Sequence, residues 1–242
     1  MEARILNSNV SRLNSRDLLS KLELETEGRC RASLYKDIEK LISEGNILRV
    51  ARGQYVIPSE MRVVYHHEYS EIPQAVAEKM ISEFPSLDFR ITELIQFNEF
   101  VNHQIAHNAV FVHVEKGTED FVFEQLKEIY PGKVLLRPDL ETYHRYWCDD
   151  MIVIGRLISQ TPKGDGVYWH ASGEKLLVDI FADFLISSAI PESEWATVYT
   201  EMFSTYAINE SRLFRYAGRR GCAERIRQFI EKRTSLHMFA KE

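Results

Sequence analysis

The chain has 242 residues, 45% of them hydrophobic and 27% charged. That is globular composition, and it excludes disorder, collagen-like repeats or a disulfide scaffold as the main plan. The net charge of −6 argues against a general nucleic-acid coat protein, which needs a positive surface.

Cys30, Cys148 and Cys222 match no zinc-knuckle or CxxC spacing, and so sparse and odd a set points to a reducing compartment. The first residues hold no apolar core of signal-peptide length. The most apolar later stretch, 176–190, is interrupted by Asp179 and Asp183, too short and too charged to span a bilayer. The expectation is a soluble cytoplasmic protein without membrane contact.

The chain changes character near residue 60. Only Tyr35 and Tyr55 of its aromatic residues precede that point, and the first proline is Pro58. Residues 1–60 carry 10 basic and 9 acidic side chains, a net +1, and the remainder carries 20 and 27, a net −7. The global charge therefore hides two unequal parts. Three units are expected: 1–60, an α/β domain over 61–171, and a helical C-terminal region over 172–242 packed on it.

The first unit reads as three helices closed by a hairpin. Ser15 is the expected N-cap of RDLLSKL, with Leu18, Leu19 and Leu22 on one face. In RCRASLYKDIEKLISEG, Leu34, Ile38, Leu41 and Ile42 form one helical stripe. Gly45 sits where a left-handed C-terminal residue belongs. Two β-rich runs flank Arg52-Gly53, a tight-turn signal. Together these make a winged helix-turn-helix.

RVVYHHEY is strand-like, and IPQAVAEKMISEF places Ile72, Val76, Met80 and Phe84 at helical spacing. DFRITEL is a predicted strand that leads into a helix over 93–102. NAVFVHVE, KVLLRP and MIVIGRL are predicted strands, and FVFEQLKEIY a helix with Val122, Leu126 and Ile129 inward. The alternation predicts a mixed α/β fold with a small, largely parallel sheet. Ser172 then caps a long helix, Pro191 starts another, and Asn209 caps ESRLFRYAGRR ahead of a last helix over 223–232.

Opposite the apolar stripe of the second helix lie Arg29, Lys36 and Lys40, with Ser33 beside them and Arg31 nearer the core edge. As a recognition helix, this face would enter the major groove of double-stranded DNA, with Arg49 and Arg52 contributing from the wing. The competing reading is a solvated face of a protein-binding module. Residues 209–233 carry eight basic and three acidic side chains. Arg212, Arg215, Arg219 and Arg220 there form a second candidate basic surface, against the alternative of a solvated or ion-paired helix face.

His103 and His107 are spaced for one helical face, and His113 follows. Without an HExxH they point to packing or surface roles more than to a metal. His66-His67 is weaker, because neighbours on a strand point to opposite faces. No phosphate-binding loop, dinucleotide fingerprint or nucleophile elbow is present. No catalytic residue, metal or cofactor is expected. The alternative is a metal-dependent nuclease or nucleotidyl-transfer enzyme delivered by the winged helix, with Asp88 and Glu115 as its acids.

The segment RDLLSKL…RASLYKDIEKLISEGNILRVARGQYVI resembles the N-terminal winged helix of AbiEi-type antitoxins and related transcriptional regulators. VHVEKGTEDFVFEQL, SGEKLLVDIFAD and INESRLFRYAGRRG are similar to C-terminal parts of bacterial AbiEi-like proteins. The resemblance implies a repressor of its own operon. It would counter a nucleotidyltransferase-like toxin in the type IV manner, without a stable complex.

Overall fold

The computed structural model describes residues 11–25, 31–43, 47–57, 63–164 and 166–236. The N-terminal unit runs β1 (Ser11–Asn14), α1 (Ser15–Glu25), α2 (Arg31–Ser43), β2 (Leu48–Ala51) and β3 (Gln54–Ile57). Its three strands form an antiparallel sheet in the order β1-β3-β2. Two helices, not three, occur among the described residues of this unit, and β1 was not expected. The periodicity nevertheless sets the core. Leu34 and Ile38 of α2 are buried with Leu18 and Leu19 of α1, Leu13 of β1 and Tyr55 of β3.

The cap of α1 lies one residue earlier than expected. Asn14 Oδ1 accepts from the backbone N–H groups of Arg16 and Asp17. Ser15 instead donates its own N–H to the Gly53 carbonyl, which ties the helix start to the hairpin turn. Gly53 has φ +71°, and a Cβ there would lie 3.0 Å from the Ser15 hydroxyl. The left-handed turn favours glycine, and a side chain there would also crowd the start of α1. Gly45 lies outside the described residues.

The second part is a three-layer arrangement. A four-stranded sheet has the order β4 (Phe89–Glu93), β5 (Ala109–Val114), β7 (Met151–Arg156), β6 (Val134–Leu136). β5, β7 and β6 are parallel, while β4 is antiparallel to β5, so the sheet is mixed. Side chains alternate across it. Val110, Val112, Ile152 and Ile154 pack on Val76 and Met80 of α3 (Glu71–Glu83) and on Val122 and Leu126 of α4 (Glu119–Ile129). Phe111, Met151 and Val153 face the C-terminal helices. Those helices are α6 (Gly173–Ala182), α7 (Phe184–Ala189), α8 (Glu192–Thr205), α9 (Glu210–Arg219) and α10 (Ala223–Arg233). A short α5 (Leu140–Arg145) lies between β6 and β7, capped by Asp139. No helix among the described residues is long and apolar enough to cross a membrane.

Several local expectations are corrected. RVVYHHEY is not a strand: beyond an isolated bridge between Val63 and Tyr206 it is irregular. The helix expected over 93–102 is a six-residue 3-10 segment, Leu94–Glu99, held by a reciprocal Glu93–Gln96 capping box. Ile129 is exposed. The helix expected from Ser172 onward breaks at Asp183, whose carboxylate accepts from Leu185 N and Ile186 N and starts α7. Side-chain caps by Ser172 and Asn209 occur as expected.

Leu34 has no exposed surface. Leu34→Ala should lower unfolding free energy by about 2–5 kcal/mol, the usual cost of truncating a buried leucine. Lys36→Ala, on the exposed side of the same helix, should stay within about 0.5 kcal/mol. Urea denaturation of the two variants checks the orientation of α2.

Candidate functional site

Turning Leu34 and Ile38 inward turns Tyr35, Lys36, Glu39 and Lys40 outward, all of them exposed. Ser33 is half-buried beside them. Arg29 lies outside the described residues, and only the helical backbone is described for Arg31. Arg52 is exposed at the hairpin turn. Arg49 is exposed too, but it lines a cavity of about 400 Å³ between β2 and the start of α9, together with Arg212, Glu174 and Lys163. Of the two hairpin arginines, then, Arg52 is at the turn and Arg49 faces the body of the protein.

The C-terminal basic cluster separates into two kinds of arginine. Arg215 and Arg219 are exposed. Arg212 donates to the Lys163 carbonyl at 2.8 Å and lies 3.9 Å from Glu174. Arg220 points into the protein, 3.5 Å from Asp179, and donates to the Tyr216 hydroxyl at 3.2 Å. A continuous basic surface through all four residues is therefore corrected: Arg220 is structural, and Arg212 joins the helix layer to the loop before it.

Arg220 belongs to a buried ion network beneath the sheet. Lys175 Nζ donates to Thr92 Oγ1 at 3.0 Å and to the Asp179 carboxylate, and Tyr216 donates to Asp179 at 3.0 Å. Lys175 and Asp179 are almost fully buried, and such groups are tolerated only when paired and hydrogen-bonded. His113 of β5 is buried nearby, 3.6 Å from Asp183. Burial pushes its imidazole below the ordinary range and Lys175 adds to this, while Asp183 and Asp179 pull the other way. His113 Nδ1 and Arg90 Nε are buried and make no hydrogen bond among the described residues.

The other proposed histidine sites disperse. His103 pairs with Glu194 at 2.8 Å and His107 with Asp149 at 2.9 Å. The helix that would have aligned them ends before both. Asp88 and Glu115 do reach the same end of the sheet, flanking the paired Phe89 and Val114. Asp88, however, is held by Arg90 at 2.6 Å and has Lys163 at 3.8 Å. Among the described residues, no three His, Cys, Asp or Glu side chains converge as a metal site.

A polar centre that the sequence reading missed is built on Glu93, at the end of β4. Its side chain is fully buried. It accepts from His67 Nε2 (2.8 Å), Ser70 N (2.9 Å), Ser70 Oγ (2.7 Å) and Asn108 Nδ2 (2.8 Å). Burial alone would raise this carboxyl, but the hydrogen bonds from His67, Ser70 and Asn108 outweigh burial and hold it low. Next to it, His66, His67 and His170 line one cavity of about 520 Å³. Adjacent histidines separate on a strand but need not on an irregular segment, which is why His66-His67 looked uninformative.

A family of unknown function, DUF6577, matches residues 33–236. The chain belongs to that family. No curated protein matches it.

Lys175→Ala should leave Asp179 under-compensated and destabilise the fold by about 3–5 kcal/mol, as expected when one partner of a buried pair is removed, measured by urea unfolding. His170 is pushed down to about 4 by burial, with His66 and His67 adding to the shift. The groups around it are those two histidines, Tyr69, Glu68, Glu78 and Trp169. Because its folded value is depressed, the unfolded chain takes up the proton first as pH falls. Stability contributed by neutral His170 is complete above about pH 6.5 and is lost as pH drops toward 4. His170→Asn should flatten the melting-temperature profile across that window.

Proposed function

We propose that this chain is a sequence-specific, non-enzymatic DNA-binding regulator, with α1, α2 and the β2–β3 hairpin acting as a winged helix-turn-helix. The observation that carries this reading is the division of α2 into two faces. Leu34 and Ile38 are buried, while Lys36 and Lys40 are exposed on the other side, and Arg52 stands at the turn of the following hairpin. An exposed cationic helix with a basic turn beside it suits the major groove and its phosphate walls. The acidic excess of residues 61–242 opposes indiscriminate coating of DNA, so binding would be local and directed.

The finer reading comes from the resemblance to AbiEi-type antitoxins. In it the regulator represses its own operon and counters a nucleotidyltransferase-like toxin without forming a stable complex with it. A two-fold dimer would space its half-sites by about one helical turn of DNA, roughly 34–36 Å.

The test is a gel shift and footprint of the full chain on the DNA upstream of its own gene, with salt varied. The wild-type protein should footprint that DNA at low salt. Lys36→Ala and Arg52→Ala should each weaken binding across sequences and reduce the salt slope by about one, and Lys36→Glu should abolish binding. Absence of any footprint at low salt would reject the proposal.

A further inference from the structure

The cavity beside Glu93 has a definite chemical character. α3 supplies exposed Gln74, Glu78 and Ile81 and buried Ala77, spaced as one helical face. The irregular segment before α3 supplies His66, His67, Glu68 and Tyr69, and the strap along the open edge of β4 supplies Trp169 and His170. The strap is fixed there by Ile91 N donating to the Trp169 carbonyl at 2.9 Å.

No lysine or arginine lines this space, whereas Glu68 and Glu78 do. Gln74 commits its amide N–H to the Tyr69 carbonyl at 2.5 Å, which leaves its side-chain oxygen as an acceptor. His67 is oriented by the buried Glu93 carboxylate through Nε2. His170 lies against both Tyr69 (4.7 Å between ring centroids) and Trp169 (4.2 Å), and its depressed basicity keeps it neutral near pH 7. The cavity thus combines aromatic walls, an excess of acceptors and two carboxylates. Its volume of about 520 Å³ is that of a small-molecule site.

We propose that this cavity binds a small organic cation with a flat or apolar body, such as an amidinium, guanidinium or aryl-ammonium compound. Glu78 and Glu68 neutralise its charge, the Gln74 side-chain oxygen accepts its N–H groups, and the Tyr69–Trp169–His170 wall receives its body. Carboxylates give charge-assisted hydrogen bonds to such donors, and aromatic faces attract cations. A metal ion is the poorer occupant, because no three potential ligands converge among the described residues. The inference is independent of what α2 binds.

Benzamidine and its neutral counterpart benzamide are suitable probes, titrated into the full chain by calorimetry and by thermal shift. Benzamidine should bind saturably and raise the melting temperature, with benzamide at least about tenfold weaker, the scale of one charged hydrogen bond. Glu78→Gln and Glu68→Gln, both at exposed positions, should fold normally and weaken benzamidine, together by tenfold or more. Glu83→Gln, away from the cavity on the same helix, should leave its binding unchanged. Equal binding of the two probes, no saturable binding, or full affinity in the double Glu→Gln variant would each overturn the proposal. So would a saturable shift with zinc chloride alone that disappears in His66→Ala and His170→Ala.

Discussion

One buried carboxylate anchors the irregular segment ahead of α3 to the sheet. Glu93 has no contact with solvent, so every hydrogen bond to its oxygens must come from protein. Two of the residues that satisfy it, His67 and Ser70, belong to the segment leaving the N-terminal unit. Asn108, at the start of β5, donates too, and so does the Gln96 backbone N–H of the capping box. That segment is also pinned by the Tyr69 hydroxyl, which donates to the Ile91 carbonyl and accepts from Ala171 N. At its start, the Val63 carbonyl accepts from Ala207 N. The stretch from Val63 to Ser70, irregular in itself, is thereby laid along the sheet and the helical layer.

The same constraint shapes the chemistry on either side of the segment. Outward, it holds His66 and His67 against the strap containing Trp169 and His170, which forms the acceptor-rich cavity. Inward, it places Tyr65 against Phe100 and Tyr206, next to the helices that carry the Asp179 network. That network supplies the charge balance of the sheet's other face, where Lys175 and Arg220 meet one aspartate. Part of the basic C-terminal stretch is thus spent internally, and Arg215 and Arg219 remain on the surface. Lys36 and Lys40 of α2 and Arg52 at the hairpin turn are exposed as well.

Periodic features were legible in the sequence because they answer to one physical cause. The Leu34–Ile38 stripe, the α3 stripe and the hydrophobic runs of β5 and β7 each record burial against a single partner layer. Features set by tertiary partners were not legible. RVVYHHEY has strand composition, but its polar groups are taken up by Glu93, the Ile91 carbonyl and the Ala207 N–H in place of a ladder. Asp183 reads as a charge within a helix, whereas it ends one helix and caps the next. Arg220 is indistinguishable from Arg219 until α9 packs on α6 and brings Asp179 within reach. The three-histidine cavity joins His66 and His67, before α3, to His170, just before α6, and no spacing rule links them.

The central claim is that DNA is read by α2 and the hairpin tip while the acidic body stays outside the contact. Hydrogen–deuterium exchange of the full chain, with and without the DNA upstream of its gene, tests this most directly. The account predicts new protection over α2 and around Arg52-Gly53, with β4, β5 and the cavity segment 66–70 unchanged. Protection confined to α9 and α10, with α2 unaffected by bound DNA, would contradict it.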